Sequence, residues 1–201
     1  MSDADDLART REFFAARAAD WERKFPDDGP RFAAAVAELG LLPGQSVLDA
    51  GCGTGRALPL LRQAVGPQGV VLGLDLTPEM IVQAVRTGRG EPAALLVGDC
   101  ARLPLRTAAV DAVLGAGLLS HLRHPVADLA ELARVTRAGG RLALFLPTGR
   151  AALAARHGRT LSPADLAAEP NLRRALAEAG WTLERYADDE DRFLALARRA
   201  G

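Results

Sequence analysis

The stretch Val47-Leu48-Asp49-Ala50-Gly51-Cys52-Gly53-Thr54-Gly55-Arg56 constrains this chain more than any other. A short apolar run that ends in an acid and then in alternate glycines reads as a buried strand turning sharply into a helix. Bare backbone at such a turn lets a ligand approach, and the helix N-terminus adds amide donors that no carbonyl satisfies. The same pattern then repeats. Ser46 to Ala50 is the first strand, and its helix runs to about Val65, where Gly66-Pro67-Gln68-Gly69 closes it. Val70 to Leu74 is a second buried strand ending in Asp75, followed by Thr77 as an N-cap, Pro78 at the first helical position and Glu79 in the first turn. Ala93 to Val97, Val110 to Leu114 and Arg141 to Leu146 read as further strands, with a helix from Val126 to about Val135 before the last. Strands alternating with helices predict an α/β fold, a parallel sheet covered on both faces.

The flanks differ. Arg9 to Lys24 reads as one amphipathic helix with Phe13, Phe14, Arg17 and Trp21 on a single stripe, broken by Pro26-Asp27-Asp28-Gly29-Pro30. A second helix runs from Arg31 to Gly40. After the fifth strand, Pro147 to Leu161 reads as a short connection, and Ser162 caps a helix with Pro163 inside its start, bent or broken near Pro170. Trp181 to Ala187 and Arg192 to Ala197 flank Asp188-Asp189-Glu190-Asp191 as an antiparallel hairpin. With 201 residues, the expectation is a single domain, residues 1–42 forming N-terminal helices and 43–201 the core.

Formal net charge is zero, so no global field favours nucleic acid or an anionic membrane. No apolar run reaches the length of a membrane span, and Met1-Ser2-Asp3-Ala4-Asp5-Asp6 is acidic where a signal peptide would be basic. Cys52 and Cys100 make neither a disulfide framework nor a metal-site spacing. The expectations are a cytoplasmic protein, no metal and no nucleic-acid partner.

Two acids extend the glycine signal. Asp75, at the end of the second strand, is placed to accept hydrogen bonds from a ribose diol beside the glycine turn, and Asp99, at the end of the third, stands near the expected nucleobase. Taken with these, Leu48-Asp49-Ala50-Gly51-Cys52-Gly53-Thr54-Gly55 resembles the first motif of class I S-adenosylmethionine-dependent methyltransferases. Gly73-Leu74-Asp75-Leu76-Thr77-Pro78-Glu79-Met80 resembles their second and Gly98-Asp99-Cys100-Ala101-Arg102-Leu103-Pro104 their third. Val110-Asp111-Ala112-Val113-Leu114 matches the fourth strand, and Leu132 to Leu144 the helix and strand beyond.

The resemblance implies a Rossmann-like sheet of seven strands in the order 3-2-1-4-5-7-6, the seventh antiparallel, with helices on both faces and an N-terminal helical lid. It implies S-adenosylmethionine as cofactor. Asp49, Gly51, Cys52 and Gly53 would hold its methionine portion, Asp49 acting on the amino group. Asp75 would take the ribose hydroxyls, Leu76 and Met80 would pack on the adenine, and Asp99 would accept from its amino group. Cys100 and Ala101 would supply adjacent backbone, and Gly115 and Ala116 would line the site near the sulfonium.

Two other readings stand beside this one. An NAD-dependent oxidoreductase would want a third glycine where Arg56 stands. A regulatory or partner protein could bind the cofactor without transferring its methyl. For the acceptor, Gly115-Ala116-Gly117-Leu118 lacks the Asn/Asp-Pro-Pro-aromatic signature of enzymes that methylate amino groups of adenine or glutamine. No Pro-Cys pair suggests the cytosine C5 class. A small-molecule acceptor is expected, as in relatives resembling ubiquinone/menaquinone-type or natural-product methyltransferases. His121, seven residues past the end of the fourth strand, is the candidate general base, with packing or capping as its alternative role. Phe14 and Trp21 would form a lid over the cofactor or acceptor, or simply pack on the sheet. The short connection after the fifth strand leaves the acceptor site open or closed by a second subunit, so monomer and homodimer are both compatible.

Overall fold

Successive residues of the apolar strands point to opposite faces, so both faces need cover. The computed structural model describes residues 3–24, 28–91 and 93–201. Its strands are β1 (Ser46–Ala50), β2 (Val70–Asp75), β3 (Ala94–Val97), β4 (Val110–Ala116), β5 (Thr136–Leu146), β6 (Trp181–Asp188) and β7 (Phe193–Arg199). They form one sheet in the order β3-β2-β1-β4-β5-β7-β6, parallel from β3 to β5, with β7 antiparallel to β5 and β6. The expected order is therefore the observed one.

The helices are α1 (Asp3–Ala15), α2 (Trp21–Lys24), α3 (Gly29–Leu39), α4 (Leu58–Val65), α5 (Pro78–Arg86), α6 (Pro125–Val135), α7 (Arg150–Arg156) and α8 (Glu169–Glu178). Alternation along β1 divides the core. Val47 joins Val71, Leu114 and Phe145 against Phe32 and Leu39 of α3 and Leu58 and Leu61 of α4. Leu48 joins Leu74, Val113 and Leu144 against Leu129 and Leu132 of α6 and Leu172 and Leu176 of α8. Trp181, buried at the start of β6, donates its indole N–H to the Leu129 carbonyl at 2.9 Å and so fixes the tail to α6.

The structure corrects the flanks. The first helix begins at Asp3 and stops at Ala15; a 3-10 turn at Ala18–Asp20 and the separate α2 follow. On one continuous helix Phe14 and Trp21 would lie about 10 Å apart along the axis, whereas the break brings their ring centroids to 5.6 Å. Part of the expected breaker, Pro26-Asp27, lies outside the described residues. The Pro147–Leu161 connection contains a helix, α7. Ser162 does cap, but it caps a turn: its Oγ accepts from the Ala164 N–H at 3.2 Å. The helix starts later, at Glu169, where Pro170 occupies the first turn and needs no N–H partner rather than bending an existing helix. β5 starts at Thr136 rather than Arg141 because Thr136 pairs with Val110 and Arg141 with Ala112, leaving residues 137–140 as a bulge.

Replacing Trp181 removes a fully buried aromatic ring and the bond that ties β6 to α6. Trp181→Ala should cost about 3–5 kcal/mol, read as a lowered urea midpoint with an unchanged m-value.

Candidate cofactor and active site

Parallel β1, β2, β3 and β4 end at one edge of the sheet, and the order of the strands reverses between β1 and β4, the switch point where α/β sheets bind ligands. Register sets the heights there: Asp49 is level with Gly73 and Leu114, and Asp75 with Val97. After β1 the backbone is left-handed at Gly51, Gly53 and Gly55 (φ 74°, 53° and 79°), a conformation that side chains disfavour. At Gly55 space matters as well, since an added Cβ would lie 3.0 Å from Leu58 Cδ1 and 3.2 Å from the Cβ atoms of Ala84 and Arg89.

Asp75 organises this loop. Its Oδ2 accepts from the Gly53 N–H and its Oδ1 from the Thr77 N–H, each at 2.8 Å. Burial raises its pKa, and these bonds oppose the rise. Gly51 and Cys52 donate their N–H groups to the Leu74 carbonyl at 2.8 and 2.9 Å, which clamps the turn to β2. Thr77 stands at the N-cap position with no capping bond from its side chain; its Oγ1 is buried and without a partner.

Asp49 is only 1% exposed, and its Oδ1 has no hydrogen-bond partner. Burial first, and the negative charge of Asp75 second, push its pKa up to about 8. Asp99 is better satisfied: Oδ1 accepts from the Ala101 N–H at 2.9 Å and Oδ2 from Arg123 Nη2 at 2.6 Å. Arg123 is placed by Asp128, a buried acid of α6 that accepts from the Arg123 and His124 N–H groups at 2.9 and 3.1 Å.

Leu76 is half-buried and its carbonyl accepts from Arg11 Nε of α1 at 3.1 Å; Met80 is fully buried in the first turn of α5. Gly115 is buried and Ala116 half-buried at the end of β4. Leu118 reaches back over both loops, 3.6 Å from a Cβ built on Gly51 and 3.1 Å from one built on Gly115. Cys52 is buried and Cys100 partly so; burial and nearby carboxylates raise both thiols, Cys100 to about 12, which makes them packing groups rather than nucleophiles.

His121 ends a 3-10 turn, Leu118–His121, that carries the chain from β4 toward α6. The residue is exposed, and its ring makes an edge-to-face contact with Phe14 at 5.1 Å. Desolvation there lowers the imidazole pKa, so the ring is neutral at pH 7. Phe14, Trp21 and His121 thus form one aromatic cluster between the N-terminal segment and the strand ends. His124 pairs with Asp3 at 3.1 Å on the surface, and His157 is exposed. A cavity of about 400 Å³ lined by Thr107, Arg134, Thr136 and Arg199 lies at the other end of the strands, remote from these residues.

Sequence reasoning missed Glu22, Arg56, Arg89 and Arg123 as members of this edge. Their partners lie far away in the chain, Glu22 to Thr54 spanning 32 residues and Arg123 to Asp99 spanning 24. No local spacing carries that information.

The glycine turn, the buried unpartnered carboxylate of Asp49 and the acids at the ends of β2 and β3 thus lie along one edge of a Rossmann-like sheet. Residues 48–144 match the sequence model of a family described as a methyltransferase domain. The aklanonic acid methyltransferase DauC of Streptomyces sp. (strain C5) is 37% identical over 111 residues, covering 54% of this chain and 50% of that protein. A demethylmenaquinone methyltransferase of Beutenbergia cavernae is 37% identical over 110 residues, covering 54% and 43%. The chain spans half or less of the length of the curated relatives named here. A structure of an S-adenosylmethionine-dependent methyltransferase from Aquifex aeolicus matches with TM-score 0.67 at 26% identity, over 82% of this chain and 87% of that one. Residues 48–144 are thus similar to a methyltransferase domain, and the chain shares its fold with an S-adenosylmethionine-dependent methyltransferase.

Asp49 makes the protein's stability depend on pH. Its folded pKa lies above the unfolded value of 3.8, so between those limits the folded state binds the extra proton. Stability from this group is complete below the unfolded pKa and is lost as pH rises toward about 8. Urea titrations from pH 4 to 8 without ligand should show that decline, and Asp49→Asn should flatten it.

Proposed function

We propose that the chain transfers the methyl group of S-adenosylmethionine to a small-molecule acceptor by in-line displacement. The observation that carries this reading is Asp49, a buried carboxylate oxygen without a partner at the same strand edge as the Asp75 carboxylate. Such an oxygen is a site for a cation. S-adenosylmethionine has both an ammonium for Asp49 and a ribose diol for Asp75, whereas NAD has diols and no ammonium. Arg56 points the same way: at the position of a third dinucleotide-loop glycine, it is engaged with Glu22 and Asp28 instead.

In this assignment Gly51, Cys52 and Gly53 lie along the methionine portion and Asp75 takes the ribose hydroxyls. Leu76 and Met80 border the adenine, with Asp99, Cys100 and Ala101 at its edge and Gly115 and Ala116 near the sulfur. When bound, the cofactor supplies a methyl group already activated by positive sulfur. The chain's part is alignment and exclusion of water, and positioning of this kind contributes about 7–11 kcal/mol. Phe14 and Trp21 close the crevice from above. His121, neutral and exposed, accepts the proton of an acceptor hydroxyl or carbon acid. The names of the two relatives above each contain a small organic acceptor, which supports that class here.

Calorimetry with S-adenosylhomocysteine and NAD tests the cofactor. The adenosyl ligand should bind and NAD should not, and Asp75→Ala should weaken binding at least tenfold, about the worth of one hydrogen bond to a charged group. Failure of the adenosyl ligand to bind would remove the reading. His121→Asn tests the base: kcat should fall by about 10²–10⁴ while the affinity for S-adenosylhomocysteine holds. With the native residue, kcat should stay on its plateau at pH 7 and decline only in more acid solution, where the imidazole protonates.

A further inference from the structure

In the cofactor reading above, Asp99 meets the amino group of the adenine, so the direction of its carboxylate matters. One oxygen is fixed locally: Oδ1 accepts from the Ala101 N–H, two residues on, at 2.9 Å. The other is held from a distance. Arg123 Nη2 donates to Oδ2 at 2.6 Å, a charge-assisted bond between partly buried groups. Arg123 belongs to the connection after β4. With β2 and β1 between them, β3 and β4 lie about 14 Å apart at the usual strand spacing, so this bond reaches across the strand ends.

The backbone that carries Arg123 is itself anchored. Asp128, buried in the first turn of α6, accepts from the Arg123 and His124 N–H groups, and its own N–H donates to the His124 carbonyl at 2.8 Å. Farther along α6, Glu131 accepts from the Leu103 N–H at 2.7 Å and Arg134 donates to the Leu105 carbonyl at 2.9 Å. The helix therefore grips the segment that follows β3, and Arg123 is the contact that ends on the Asp99 carboxylate. A carboxylate tied at both oxygens cannot turn without breaking a bond. Each oxygen accepts up to two hydrogen bonds, so capacity remains for a donor on a ligand. An acceptor-only group favours a 6-amino purine and opposes a 6-oxo one. Holding its plane adds geometry to that preference.

We propose that Arg123 is a positioning residue for base recognition, holding Asp99 in the orientation that selects a 6-amino over a 6-oxo purine on the cofactor. Selectivity for adenine then depends on α6 as well as on β3. This deepens the S-adenosylmethionine reading and rests on it.

The test compares S-adenosylhomocysteine with S-inosylhomocysteine, its 6-oxo counterpart, by calorimetry. The native chain should prefer the adenosyl ligand. Arg123→Gln should weaken that ligand about 3–10-fold and leave the inosyl ligand nearly unchanged, so the preference shrinks by the same factor. Arg123→Lys, which keeps a charged donor, should restore part of it. In an Asp99→Asn background, Arg123→Gln should have no further effect, as expected of a residue that acts through Asp99. Arg123 Nη1 also reaches the Asp3 carbonyl of α1 at 3.4 Å, so Asp3→Ala, which frees the same helix end from His124, is the control and should leave the preference intact. Three results would each overturn the proposal: equal weakening of both ligands by Arg123→Gln, tighter adenosyl binding by that variant, or a matching loss of preference in Asp3→Ala. If the native chain binds neither ligand, the cofactor reading itself falls and takes the positioning role with it.

Discussion

The Asp75 carboxylate accepts the Gly53 and Thr77 N–H groups, and the working edge of the molecule depends on those two bonds. One fixes the glycine loop after β1; the other fixes the start of α5. A single side chain therefore sets the spacing between two adjacent crossovers. Its cost is a desolvated negative charge, which is felt at Asp49 as an upward pressure on a neighbour that is already buried. The two acids stay compatible because backbone amides hold the charge of one, while burial keeps the proton on the other up to a pH of about 8.

From that edge outward, the architecture is a division of labour between local and remote contacts. The strand cores are apolar and close-packed on both faces, and they supply rigidity without chemistry. Polar contacts between distant segments surround this core, and some of them lie at the C-terminal ends of β1 to β4. Arg123 on Asp99, and Arg56 and Arg89 on Glu22, bridge elements that the hydrophobic core does not join directly.

Sequence reading recovered the parts whose signals are local. β1 and its glycine turn, the acids at the ends of β2 and β3, and the hairpin around Asp188–Asp191 are marked by residue type and period within a few positions. Strand order came from the resemblance, since nothing in periodicity says which strands pair. The misses share a cause. The break after Ala15 has no proline or glycine to announce it and is decided by Phe14 meeting His121 and by Glu22 reaching Thr54. At Ser162 the capping chemistry was read correctly but attached to the wrong element, because a turn and a helix both use a serine hydroxyl in that way. α7 is short, alanine-rich and without a buried residue, so no apolar stripe betrayed it.

Among the described residues, α1 likewise has no fully buried side chain. Its Asp3 and Arg11 reach the rest of the chain through Arg123 and His124 and through the Leu76 carbonyl, all polar contacts near the surface. Charges so exposed are screened within about 8–10 Å at ordinary ionic strength. Those polar contacts are consequently the part of the helix's docking that responds to salt, whereas the packing of Phe14 on Trp21 and His121 does not. Raising ionic strength therefore loosens the polar contacts of this helix, at Asp3 and Arg11, before the aromatic one at Phe14.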